Sequence, residues 1–198
     1  MSKIINDEGL DILFRQARSQ NAWTSEGVSE TMIRAVYDLA KWGATSANSS
    51  PARFVFVTSQ AAKEKLKPHL LDVNQGKMMQ APVAVIIGYD LKFYAHMPTK
   101  LFSHRPQFAK MFEDNNDFAS ITAFRNSSLQ GAYLMMAARA LGLDCGPLSG
   151  FNNAGVDEAF FAGGSIKSNF ICLIGHGDPK GVMPRLPRLE FDEACEII

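Results

Sequence analysis

The chain has 198 residues, and its 20 Lys and Arg cancel 20 Asp and Glu to leave a formal net charge of zero. That balance argues against a nucleic-acid coat or a polybasic membrane anchor, both of which need a long-range positive field. With 46% apolar and 20% charged residues the composition is globular, and the length fits one domain over 1–198, with an irregular insertion at about 93–120.

The N-terminal stretch, Met1-Ser2-Lys3-Ile4-Ile5-Asn6, lacks the apolar core of a signal peptide. No apolar run approaches the ~18 residues of a membrane span, so the expectation is a cytoplasmic protein with no membrane partner. Asp7 can cap a first helix carrying Leu10, Leu13, Phe14 and Ala17 at i, i+3, i+4, i+7. A second helix follows Ser29, with Met32, Ile33, Val36, Tyr37 and Ala40 on one face. The small polar stretch 44–51 (ATSANSSP) reads as a loop. Next come a strand at 53–58 (RFVFVT), a helix at 61–71 broken near Pro68, and a strand at 82–89 (PVAVIIGY). The last is apolar throughout, as a strand buried on both faces should be. The segment 93–124 holds six of the 14 Phe with no clean period. A long helix runs from about 116 to 141, and its half 132–138 is apolar on every side, which predicts burial in the middle of the fold. Gly142 ends it. A loop at 145–150, a short helix near 156–161, a third strand at 170–175 and a tail with Pro and Arg complete an α+β pattern with helices sandwiching a sheet.

The familiar chemical motifs are absent. The four His (69, 96, 104, 176) share no i, i+4 pair, and the three Cys (145, 172, 195) have no C-x-x-C spacing, so neither a metal centre nor a disulfide framework is expected. Gly146-Pro147-Leu148-Ser149-Gly150 has the wrong spacing for a nucleophile elbow. Gly175-His176-Gly177 is half of a dinucleotide fingerprint with too few residues after it. What remains is a set of dispersed polar segments suited to a flat, phosphate-bearing ligand. These are Arg18-Ser19, the loop 44–50, Asn74 and Lys77, the segment 147–150, and Arg185 with Arg188. Arg forks and hydroxyls suit a phosphate monoester, and amides with a nearby cation suit the pyrimidine edge of an isoalloxazine. Each segment also has a purely structural reading, and composition and spacing alone stop at an α+β domain.

Three segments go further: 42–53 (WGATSANSSPAR), 122–151 (TAFRNSSLQGAYLMMAARALGLDCGPLSGF) and 185–194 (RLPRLEFDEA). Through them the whole chain resembles the nitroreductase-like FMN flavoproteins, in particular the branch of the malonic semialdehyde reductases (3-hydroxypropionate dehydrogenases) of pyrimidine degradation. The resemblance implies a three-layer α/β/α sandwich with a mixed, mainly antiparallel sheet, in an interlocked homodimer with FMN at its interface and NAD(P)H as co-substrate. It places Arg18, Ser19 and Asn21 at the FMN phosphate and ring, and Ser46, Ala47 and Asn48 on a loop that reaches the other subunit's flavin. Asn74 and Lys77 match an Asn-x-x-Lys at the pyrimidine edge. Pro147, Ser149 and Gly150 match the backbone near flavin N5, and Arg185, with Arg188 as a second candidate, matches the phosphate Arg. Two departures stand out: Asn21 replaces a usual second cation, leaving Lys77 to stabilise charge at N1, and Ser149 replaces a frequent acid.

The resemblance further implies ping-pong hydride transfer through flavin N5 to a small-molecule substrate, with no dedicated acid–base residue. The Phe-rich segment fits a lid, and equally a set of core side chains. His104, Arg105 and Arg125 are the candidates for a substrate carboxylate. The alternatives are a general nitroaromatic or quinone reductase of the same family and a non-catalytic flavin-binding module.

Overall fold

The computed structural model describes residues 3–198; Met1 and Ser2, part of the N-terminal stretch read above, lie outside them. Its centre is a four-stranded sheet in the order β1-β2-β4-β3, with β1 Ala52–Val57, β2 Val83–Asp90, β3 Asp144–Leu148 and β4 Ile166–Gly175. All three strand pairs are antiparallel, with Phe54 opposite Ile87, Val85 opposite Cys172, and Pro147 also opposite Cys172. A parallel pairing occurs as an isolated bridge between Ser19 and Cys145 at the β3 edge.

The continuous apolar run of β2 has a direct cause. Alternate side chains point to opposite faces of a strand, and both faces are covered. Val83, Val85 and Ile87 pack with Val36, Leu134 and Ala138 on the side of α2 (Glu30–Ala40) and α6 (Asn116–Ala140). Ala84 and Ile86 pack with Leu66, Met78 and Val156 on the side of α3 (Gln60–Leu66), α4 (Asp72–Gln80) and α7 (Asn153–Phe160). The result is the expected α/β/α sandwich. Burial of each large side chain such as Ile86 or Leu173 stabilises it by roughly 1.5–3 kcal/mol.

Several sequence expectations need correction. The segment 145–150, read as a loop, contains most of a fourth strand. Pro147 hid it, because proline lacks a ladder donor, yet it is tolerated at the edge of a sheet, where β3 lies. The first helix is capped by Asn6, whose side chain accepts from Gly9 N–H, and not by Asp7. That helix, α1 (Asp7–Leu10), continues as a π turn that ends at Arg15, so Arg18 lies beyond it. Helix α4, which carries Asn74 and Lys77, was not anticipated; it has no side-chain cap and its Gly76 weakens the pattern.

The long helix α6 is also not buried all round. Its inner face is buried through Leu134, Ala137 and Ala138, but Leu129 and Tyr133 stand 46% and 43% exposed. The Phe-rich segment winds through a turn at Phe93–His96, a π turn at Met97–Leu101 and α5 (Phe108–Glu113). It has its own small core of Phe93, Met97, Ala109 and Phe112 against Ala119 and Ala123 of α6. Phe93 and Phe112 meet edge to face at 4.9 Å, and Phe112 stacks on Phe118 at 5.2 Å.

Candidate functional site

Residues 18–21 run along the free edge of β3. Ser19 bridges Cys145, and Gln20 N–H donates to the Cys145 carbonyl at 2.9 Å. This approach requires a glycine at 146, because a Cβ there would abut the Gln20 carbonyl oxygen. Beside the segment lies a cavity of about 500 Å³, lined among others by Arg18, Ser19, Asn21, Arg139, Arg185 and Arg188. Every guanidinium in it is held by main-chain oxygen. Arg18 donates to Met183 O, Arg185 to Arg15 O (2.7 Å) and Ala17 O (3.0 Å), Arg188 to Leu186 O and Pro187 O (both 3.0 Å), and Arg139 to Leu13 O (3.3 Å). No Asp or Glu lines the cavity, and among the described residues none of the four is in a salt bridge. Arg139 escaped the sequence reading because a basic residue in the last turn of a helix already has a reason to be there, the helix dipole.

The next polar groups continue from this cavity. Lys77 Nζ donates to Asn21 Oδ1 at 3.4 Å, and Asn21 Nδ2 donates to Gly181 O at 3.4 Å. Asn74 sits one turn before Lys77 on α4 and is 6% exposed. Its Nδ2 donates to Gly150 O at 2.9 Å, and the same carbonyl accepts Leu71 N–H at 3.1 Å. That commits the NH₂ group of Asn74 and leaves its Oδ1 as an acceptor. Pro147 and Ser149 are exposed beside it. Arg18, Ser19, Asn21, Arg185 and Arg188 are thus gathered in one cavity; Lys77 is joined to it by its hydrogen bond to Asn21, and Asn74, bonded to Gly150, sits one turn from Lys77 on α4.

Ser46, Ala47 and Asn48 are elsewhere. Their loop forms a turn at Ser46–Asn48, with Ala47, Asn48 and Ser50 in the left-handed region at φ 49°, 50° and 41°. For residues with a Cβ this costs about 1–3 kcal/mol each. The loop borders a second cavity of about 1030 Å³, which it shares with Lys41, Arg53, His96, Lys100 and Gln130. Among the described residues, no hydrogen bond links it to the arginine cavity. His104 and Arg105 lie exposed on the Phe-rich segment, His104 against the Phe102 ring at 4.3 Å and Arg105 over Phe108 at 6.0 Å. Arg125 is on the exposed face of α6.

The thiols offer no reactive group here. Cys145 and Cys172 are both free and buried in the core, and the Cys145 sulfur beside it, favouring the protonated thiol, together with burial pushes Cys172 well above the usual range. Among the described residues there is no cluster of His, Cys, Asp or Glu arranged for a metal ion, and no helix is long and apolar enough to cross a membrane.

Residues 14–177 match the model of the nitroreductase family. The chain is 56% identical over 190 residues to HadB of Ralstonia pickettii, covering 95% of this chain and 96% of that protein. It is 55% identical over 193 residues to a protein of Cupriavidus pinatubonensis, covering 96% and 98%. Both are assigned by name to the NADH dehydrogenase/NAD(P)H nitroreductases. Among solved structures, a nitroreductase-named protein of Exiguobacterium sibiricum in complex with FMN superimposes with a TM-score of 0.85, at 20% identity and full coverage of both chains. A family match over most of the length, with close relatives aligned from end to end, means that this chain belongs to the nitroreductase family.

Proposed function

We propose that this chain is an FMN-dependent NAD(P)H oxidoreductase that works as a homodimer and reduces malonic semialdehyde to 3-hydroxypropionate. The observation that carries the cofactor assignment is the arginine cavity: four guanidiniums, held by carbonyls and facing no carboxylate. Such a group calls for a ligand with concentrated negative charge, and a phosphate monoester meets it with charge-assisted bonds. The FMN complex of the Exiguobacterium sibiricum protein, which shares the fold, supports the same ligand.

The residues fit the rest of FMN as well. Arg18, Arg139, Arg185 and Arg188 surround the phosphate, and the Ser19 hydroxyl adds a donor. Lys77, tethered to Asn21, sets a positive charge at the pyrimidine edge. Asn74, whose NH₂ is already engaged by Gly150 O, offers Oδ1 to a ring N–H. Pro147, Ser149 and Gly150 bring main chain close to the ring. The chemistry FMN supplies when bound is hydride exchange, first with NAD(P)H and then with an electron-poor acceptor.

Two surfaces support the homodimer. On α6, Phe118, Ile121, Arg125, Leu129, Ala132 and Met136 follow one another at spacings of 3, 4, 4, 3 and 4, the seam of a helix that packs on a partner helix. Phe118, Ile121 and Leu129 are 40%, 55% and 46% exposed. The tail beyond 188 carries Glu190, Asp192, Glu193 and Glu196 with no cation, and it exposes Leu189, Phe191 and Ile197. The second cavity complements it through His96 and Lys100, beside Lys41 and Arg53, which are paired with Asp38 and Asp90, along the edge of β1, which pairs with β2 alone. Interlocking of two copies through tail and seam carries loop 46–48 to the flavin of the other copy. Ile121→Glu, which puts a charge on the seam, is expected to give monomers by sedimentation velocity; an unaltered dimer would argue against the seam.

The substrate reading draws on the lid. Over 93–120 its Lys100, Arg105 and Lys110 are balanced by Glu113, Asp114 and Asp117, and Lys110 is paired with Asp114, so the support for a carboxylate-bearing substrate is the exposed His104 and Arg105 themselves. We propose that the segment 93–120 closes over the flavin as that lid, with His104 and Arg105 toward the carboxylate and Arg125 from the α6 seam. The decisive measurement is anaerobic bleaching of the yellow protein by NADPH, followed by reoxidation with malonic semialdehyde, a nitroaromatic or a neutral quinone. Rapid reoxidation by the semialdehyde is expected. Reoxidation by the nitroaromatic or quinone alone would make the chain a general reductase, and a flavin that NAD(P)H fails to bleach would make it a non-catalytic binding module.

A further inference from the structure

We propose that Asn126 and Gln130, on the buried face of α6, are positioning residues for the cofactor loop: their amides hold loop 46–52 in its left-handed conformation. The inference rests on the reading that this loop reaches the flavin of the second copy.

The loop is held in a strained shape. Ala47, Asn48 and Ser50 all have φ between 41° and 50°, a region that side chains with a Cβ rarely adopt. The buried Ser49 hydroxyl has no hydrogen-bond partner among the described residues. Both facts favour some other conformation, so bonds from outside the loop add to its own in holding the observed one.

Within the loop Asn48 N–H donates to Thr45 O at 3.1 Å and Ser49 N–H to Ser46 O at 3.0 Å, and the bonds that anchor it to the sheet and helices come chiefly from one helix. Asn126 Oδ1 accepts Ser46 N–H at 2.8 Å, and its Nδ2 donates to Thr122 O at 2.8 Å, which aims the oxygen at the loop. One turn later, Gln130 Oε1 accepts Ala52 N–H at 2.8 Å. The two amides therefore grip the loop at its beginning and at the start of β1. They are 2% and 7% exposed, which makes each acceptor costly to leave unpaired. Between the grips, Thr45 Oγ1 accepts Ser50 N–H at 3.2 Å, and Asn48 Nδ2 donates to Leu101 O at 2.7 Å, tying the loop to the Phe-rich segment.

The same helix carries the apolar seam on its outer face. One rigid element thus places the loop relative to the second copy, which is what a loop acting across a dimer interface needs. It also accounts for two amides on the buried face of a helix.

The test uses the full-length protein with FMN. Asn126→Leu and Gln130→Met keep side-chain volume and remove the acceptors. Each is expected to weaken FMN binding roughly tenfold, the scale of one buried hydrogen bond, and to alter the visible circular dichroism of bound flavin, with dimer mass unchanged. Adding Ala47→Gly should restore part of the affinity, because glycine takes positive φ without steric cost; a general loss of packing would not respond to it. Gln130→Met carries the test should Asn126→Leu fail to fold. Wild-type FMN affinity and an unchanged flavin spectrum in the variants would overturn the proposal while leaving the loop reading intact. If Asn48→Ala also leaves FMN binding unchanged, the loop reading falls and this inference with it.

Discussion

Arg185→Ala is expected to weaken FMN binding by about 1.5–3 kcal/mol, the worth of a hydrogen bond to a charged group, and to leave riboflavin binding unchanged. The side chain has two tasks. Its guanidinium faces the arginine cavity, and its bonds to Arg15 O and Ala17 O tie the tail to the N-terminal segment. Arg188 separates them, since its bonds run only to its neighbours Leu186 and Pro187. Arg188→Ala therefore removes charge without releasing the tail. Paired titrations with FMN and riboflavin check both variants. Because riboflavin lacks the phosphate, equal weakening of the two ligands would point to a displaced tail, and unchanged FMN affinity would remove Arg185 from the phosphate site.

Gly146→Ala is expected to damage stability and cofactor binding together. The added methyl would meet the Gln20 carbonyl oxygen, a backbone atom in a segment already bonded to Cys145, with the Trp23 ring behind it at 3.4 Å. Relief requires residues 18–21 to move off the β3 edge, taking Arg18, Ser19 and Asn21 with them. Overpacking of this kind costs about 1–3 kcal/mol, read as a lower urea midpoint. FMN affinity should fall by roughly tenfold or more, as a phosphate contact is lost. Gly27→Ala is the control, because nothing lies within 4 Å of the Cβ it would add. A destabilised Gly146→Ala protein with wild-type FMN affinity would detach residues 18–21 from the site.

The legibility of the fold varied with the strength of each local signal. The strand at β2 was plain because burial on both faces makes it apolar at every position. Helix α2 was plain because Ser29 caps it, its hydroxyl accepting Met32 N–H at 3.1 Å. Strand β3 was hidden by Gly146 and Pro147, whose presence is explained by a close approach and a sheet edge rather than by a turn. Helix α4 was hidden by Gly76 and by the absence of a capping side chain. On α6 the apolar run was read as burial in the middle of the fold, but only one face of the helix is covered, and Tyr133 stands exposed.

The candidate site divides in the same way. The sequence by itself determined an α+β pattern with helices sandwiching a sheet, the Ser29 cap and three of the four strands, and, through its resemblance, the three-layer class, the family and the dispersed residues of the candidate cofactor site. The tertiary structure alone decided that Arg139 joins Arg18, Arg185 and Arg188, that Lys77 is tethered to Asn21, and that Asn126 and Gln130 grip a strained loop. The reason is physical. Periodicity and capping act over a few residues and leave a local trace, whereas a cavity of guanidiniums or an amide clamp joins distant positions, 78 residues apart for Gln130 and Ala52 and 168 for Arg185 and Ala17. Such groups become neighbours only after strands and helices pack.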